Sequence, residues 1–118
     1  MWKQLGLLLL LTLANTCMAE SPLAHYLIRL ENGAQFDCSF YSQTITWVSL
    51  AGDDKGQTET DTLQQATLPN KTQIYQWQER NGDFITLALD TTHHKLIASG
   101  KLHDGQNWLL AGSAESIT

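Results

Sequence analysis

Positive charge is scarce in this chain. Seven lysines and arginines stand against twelve aspartates and glutamates, for a formal net charge of −5. The cations are scattered singly, from Lys3 to Lys101, so no basic stripe exists to neutralise phosphates and nucleic-acid binding is excluded. Cysteine is equally rare, with Cys17 and Cys38 alone. If Cys17 leaves with a leader, no internal disulfide can form and the domain depends on its core. No CxxC pair, nucleophile elbow or phosphate-binding loop is present. At 118 residues the chain holds one domain at most.

Its one long apolar run, residues 5–14, follows a short positive start at Lys3 and precedes Cys17-Met18-Ala19. That order is the order of a signal peptide, and the run is too short for the ~20 residues that span a bilayer. The favoured reading is export, with cleavage after Ala19 leaving residues 20–118 as the domain. An uncleaved N-terminal anchor and a lipid-modified Cys17 are the alternatives. Loss of Lys3 leaves six cations against twelve carboxylates, a charge of −6. Such acidity suits a soluble periplasmic or secreted protein and not an anionic membrane surface.

Beyond the leader, turn residues recur at short intervals and the segments between them alternate in polarity rather than following a helical period. The expected strands are 25–30, 34–40, 44–50, 57–68, the two arms of a hairpin around Asn81-Gly82, 95–103 and 107–116. Short connections make neighbours antiparallel, so the product is a meander. An open meander would expose two long edges. Closure pairs them, which predicts an all-β antiparallel meander of about eight strands closed into a small barrel of the calycin or lipocalin kind. An interior of that size is either filled by side chains or holds one small ligand.

The hairpin 72–90 organises the rest. Asn-Gly suits a two-residue type I′ turn, which would set Trp77 opposite Thr86 and Tyr75 opposite Ala88. Tyr75, Trp77 and Glu79 then share one face, while Ile74, Ile85, Leu87 and Leu89 form an apolar strip on the other. Large aromatics facing small residues either interdigitate or line a cup with Glu79 at its polar end. Glu79 would there orient a ligand or, if burial raised its pKa, act as a general acid or base. Otherwise it points to water beside the hairpin tip. Trp47 alternates with Ile45 and faces the same interior, as packing or as a stacking surface. Arg29 reads as an outward residue.

Other residues point away from chemistry. Cys38 alternates with Phe36 and Phe40 and reads as a buried, inert thiol, with a reactive thiol or an intermolecular bridge as the alternative. His93 and His94 are adjacent in a turn, and His103 lies at the next one, so zinc-ligand spacing is lacking. Asp53, Asp54, Glu59 and Asp61 lack calcium-loop spacing and read as a solvated loop. No metal or cofactor is expected. Asn70-Lys71-Thr72 fits a glycosylation acceptor, of consequence only in a eukaryotic source.

The run Ile74-Tyr75-Gln76-Trp77-Gln78-Glu79, followed by Asn81-Gly82-Asp83 and the alternating Phe84 to Asp90, resembles the W-x-E hairpin of MoaF-like domains. Phe40, Thr46-Trp47 and Leu110-Ala111-Gly112 extend the resemblance over most of residues 32–117. It implies a calycin-type barrel, similar also to phenolic acid decarboxylases, and it implies fold more than activity. Export departs from the cytoplasmic cofactor synthesis for which the family is named.

Three functions are open. In the first, the cup binds a small, partly apolar molecule through Trp47, Tyr75, Trp77 and Glu79. A filled barrel that acts through its outer apolar strip, as an envelope inhibitor, partner module or homodimer, is the second. The third is a lyase or decarboxylase using Glu79 and a tyrosine, on analogy alone.

Overall fold

Residues 21–117 are described by a computed structural model; the expected leader and its cleavage site lie outside them. Four strand connections share one backbone device. Gly33, Lys71, Gly82 and Gly105 each have positive φ, and each N–H donates to the carbonyl three residues back, at 2.8–2.9 Å. The residue just before is Asn32, Asn70, Asn81 or Asp104, whose side-chain oxygen accepts the N–H two residues on, at 2.9–3.1 Å. This is a type I turn followed by a left-handed residue, the three-residue hairpin loop.

Eight strands result among the described residues: β1 (Ala24–Leu30), β2 (Gln35–Phe40), β3 (Thr44–Ser49), β4 (Thr58–Thr67), β5 (Gln73–Gln78), β6 (Phe84–Asp90), β7 (Lys95–Lys101) and β8 (Asn107–Ser116). Each pairs antiparallel with its successor. β8 returns to β1 from Tyr26↔Ser116 to Leu30↔Gly112, closing the barrel. The alternation of the sequence thus yields the meander it implies. The expected strand 57–68 forms over 58–67, with Thr58, Thr60 and Thr62 on its outer side, where the Thr60 hydroxyl lies 2.8 Å from that of Thr46 on β3.

The central hairpin departs from expectation by one residue. Its loop is Arg80-Asn81-Gly82, closed by Glu79 N–H donating to the Asp83 carbonyl at 2.8 Å, and only Gly82 has positive φ. Trp77 therefore pairs with Ile85 and Tyr75 with Leu87, not with Thr86 and Ala88. A one-residue slip exchanges the faces of a strand. Leu87 and Leu89 are 3 % and 0 % exposed, so the expected outward strip of Ile74, Ile85, Leu87 and Leu89 does not exist.

One end of the barrel is plugged. Phe40 stacks on Tyr75 with ring centroids 3.9 Å apart and lies 6.3 Å from Tyr26 and 6.4 Å from Trp77. Ile45, Leu89, Leu96 and Ala114 complete this floor, all buried. Toward the other end the walls carry larger gaps, and Trp108 of β8 leans across β7 at Gly100. A Cβ on Gly100 would lie 2.2 Å from the indole, so only glycine admits the ring. Gly100→Ala should cost about 1–3 kcal/mol, as overpacked sites do. In urea melts the cost should largely vanish in a Trp108→Ala background; additive effects would contradict the contact.

Candidate ligand-binding cup

Above the floor the barrel encloses a cavity of about 440 Å³ that opens among the loops 31–34, 50–57, 79–83 and 102–106. This lies within the roughly 300–1,000 Å³ of small-molecule pockets. Its wall is apolar: Ile28, Phe36, Leu87, Ala98 and Leu110 alternate inward beside Trp47, Trp77 and Trp108. Its mouth is polar, with Asn32, Asp54, Glu79 and Asp83.

The two innermost tryptophans are each tied to a carboxylate. Inward alternation of β3 places Trp47 beside β4, where its indole N–H donates to Asp61 Oδ2 at 3.1 Å. Phe36 meets Trp47 edge-on at 6.1 Å. On β5, Trp77 donates its N–H to Glu79 Oε2 at 3.3 Å. Rim loops are stitched to one another. Arg80 N–H donates to Glu59 Oε2 at 2.7 Å, and Asp83 Oδ1 accepts the His103 N–H at 2.9 Å, with His103 Nδ1 3.1 Å away. Asp54 accepts from the Ser49 hydroxyl at 2.7 Å.

Burial governs the charge states. It pushes the Glu79 carboxyl up to about 7; the Trp77 bond opposes this, while Glu59, Asp61 and Asp83 reinforce it. Burial likewise raises Asp61 to about 6, helped by a hydrogen bond with Glu59 and opposed by Trp47. For Asp83, burial works upward but loses to the bonds from His103 and Asn81, and its carboxyl is lowered. The buried Cys38 thiol is pushed far up, chiefly by burial, so it is no thiolate nucleophile at neutral pH.

Of the residues singled out from sequence, Trp47, Trp77 and Glu79 come together on the cavity. Tyr75 shares their face but lies deeper, in the floor, and does not line it. Three other contributors carried no weight in the sequence: Asp61, Asp83 and Trp108. Asp61 is 7 % exposed, not part of a solvated loop. A signal existed, because Glu59-Thr60-Asp61-Thr62-Leu63 alternates and buried Leu63 marks which face is inward. The remaining polar candidates are dispersed. Arg29 points outward toward Glu115 at 3.4 Å, His25 pairs with Asp37 outside the barrel, and His93 sits on Asp90 at the plugged end.

A family model described as MoaF-like matches residues 24–115, the span of the barrel. Among solved structures, a Burkholderia vietnamiensis protein provisionally described as a beta-lactamase aligns with a TM-score of 0.74 at 13 % identity, over 84 % of this chain and 100 % of its own. That likeness shows the fold alone. No curated protein sequence matches the chain.

Glu79 and Asp61 give the barrel a testable pH dependence. Both groups hold their proton more tightly folded than unfolded. Their contribution is therefore fully present below about 4 and is lost as pH rises through about 6 and 7. The melting temperature should fall between pH 5 and pH 8, by roughly 4–8 °C for each ~1 kcal/mol lost. Glu79→Gln should match the native protein at pH 5 and melt higher at pH 8. Scanning calorimetry that shows a flat profile, or equal destabilisation by the variant at both pH values, would place Glu79 in water.

Proposed function

The chain belongs to the MoaF-like family, and on that barrel we propose an exported binding protein that takes one small, partly apolar molecule into its cup. The observation that carries this is the cavity itself. It is floored by the Phe40–Tyr75 stack, walled by aliphatic and aromatic side chains, and polar only at its mouth. Few convergent polar groups over an apolar body is the usual form of a small-molecule site. Trp47 and Trp77 would supply contact area, Glu79 would hold the polar end, and Tyr75 would support them from beneath. Export rests on the apolar run 5–14 and the small residue at Ala19. It places the protein in the periplasm or outside the cell.

A specific observation favours keeping a surface role as the second reading. Phe84, Ile97 and Leu109 are 41 %, 46 % and 68 % exposed on the outer side of β6, β7 and β8. Self-association through them would appear as a dimer in sedimentation, abolished by Leu109→Lys. The lyase analogy has less support. The Tyr75 phenol is raised to about 12 by burial and does not line the cavity with Glu79. The description attached to the Burkholderia protein brings no activity across at 13 % identity.

The neutral apolar dye N-phenyl-1-naphthylamine tests the cup. It should brighten on addition and quench tryptophan emission. Trp108→Ala should weaken it roughly tenfold, about 1.4 kcal/mol for one aromatic contact, and Leu109→Ala on the outer wall should leave it unchanged. No brightening, and no ligand-induced rise in melting temperature across a library of mixed charge, would end this reading.

A further inference from the structure

Charge is unevenly distributed around the cup. Among the described residues Asp54, Glu79 and Asp83 line its mouth, and no lysine, arginine or histidine does. Behind the aromatic wall lies Asp61, more than nine-tenths buried, with Glu59 beside it. Among the described residues the ion pairs are made by His25, Arg29, His93 and His103; none reaches Glu59, Asp61 or Glu79. Arg80 is exposed at the hairpin tip and gives its backbone N–H, not its guanidinium, to Glu59. Taking carboxylates out of water without a counter-charge is costly. Here the cost falls beside an apolar space open to solvent.

We propose that the molecule taken up by the cup is an organic cation: a protonated or quaternary amine on an alkyl or aromatic body. Its head lies against Glu79 and the indole rings of Trp47 and Trp77, and its body fills the space bounded by Leu87, Ala98 and Leu110. The proposal rests on the cup reading and narrows it to one charge class.

Each alternative occupant is disfavoured for a specific reason. An anion, such as a phenolic or fatty acid, would meet three carboxylates and no cation, and like charges at such range repel strongly in a partly desolvated site. A neutral molecule would fill the apolar body of the cup but leave Glu79 without a counter-charge, so it binds more weakly than a cation on the same body. For a bare metal ion, no three carboxyl, imidazole or thiol groups converge closely enough among the described residues. The aromatic walls favour a cation as well. Both indole N–H groups are already committed, to Asp61 and to Glu79, so the rings themselves are what a ligand meets, and aromatic rings attract ammonium groups.

A cation beside Glu79 would also stabilise its ionised form, coupling uptake to proton release. The groups acting on Glu79 are Glu59 and Asp61 from β4 and Asp83 across its own hairpin, with the Cys38 thiol opposite on β2. Arg80 acts on Asp61 from the tip, and His103 is held on Asp83. Burial, which raises Glu79 to about 7, leaves it holding part of its proton near neutral pH. Calorimetry in buffers of different ionisation enthalpy should show protons released on amine binding at pH 7, and fewer in Glu79→Gln.

Three isosteres separate the possibilities by displacing the bound dye: 4-phenylbutylamine, 4-phenylbutan-1-ol and 4-phenylbutanoate. At pH 8 the amine should displace it at roughly tenfold lower concentration than the alcohol, with the carboxylate weakest. The amine-to-alcohol ratio should fall toward one at pH 5 and in Glu79→Gln, and rise in Arg80→Gln. Equal competition by amine and alcohol, a preference for the carboxylate, or displacement of the amine by calcium but not by sodium at matched ionic strength would overturn the cation while leaving the cup. Failure of the dye to bind, together with no rise in melting temperature from the amine, the alcohol or the carboxylate, would remove the cup, and this proposal with it.

Discussion

The length of the loop at Gly82, three residues closed by Glu79 N–H on the Asp83 carbonyl, sets which side chains this barrel buries. Asn-Gly is compatible with a two-residue or a three-residue loop, because Gly82 takes positive φ in both. What separates them is the face that β6 presents. A two-residue loop would turn Phe84, Thr86 and Ala88 inward and leave Leu87 and Leu89 in water. The three-residue loop buries both leucines instead, worth about 1.5–3 kcal/mol each, and leaves the Thr86 hydroxyl to accept from Gln76 on the outer side at 3.1 Å. Burial therefore outweighs any preference of the dipeptide for the shorter turn. Asn81 supports the outcome locally, since its side-chain oxygen caps the Asp83 N–H.

The same device at Asn32-Gly33, Asn70-Lys71 and Asp104-Gly105 makes the strand order readable without coordinates. Turn residues and alternation are local properties, so the eight strands and their order follow from the chain within a residue or two at their ends. Register does not follow in the same way, because it depends on partners chosen across a loop. Depth along the barrel axis is a further step removed. Alternation assigns Tyr75 and Trp77 to one face correctly. It says nothing of the fact that Tyr75, two residues farther from the tip, stacks on Phe40 and becomes floor.

Two contributors to the cup escaped for different reasons. Trp108 depends on Gly100, a partner on another strand whose missing side chain makes room for the ring. Nothing local to either residue reveals that match. Asp61 was hidden by its company: four acidic residues within nine positions read as solvent-facing by composition, although the threonines at 58, 60 and 62 already claim the outer side. Periodicity was the better guide, because a strand has two faces and composition averages over them.

Packing and charge meet at Trp47 and Trp77. Each ring fills the wall, and each N–H holds one oxygen of a carboxylate that burial would otherwise drive to its neutral form. A single neutral donor offsets only part of that burial, which is why Glu79 and Asp61 stay raised. Full ionisation of Glu79 at neutral pH needs positive charge closer than exposed Arg80 provides. Among the described residues, none of the wall or mouth carries it. On the reading proposed above, a cation taken up beside Glu79 would complete its charge and offset the destabilisation that burial imposes on the barrel as pH rises.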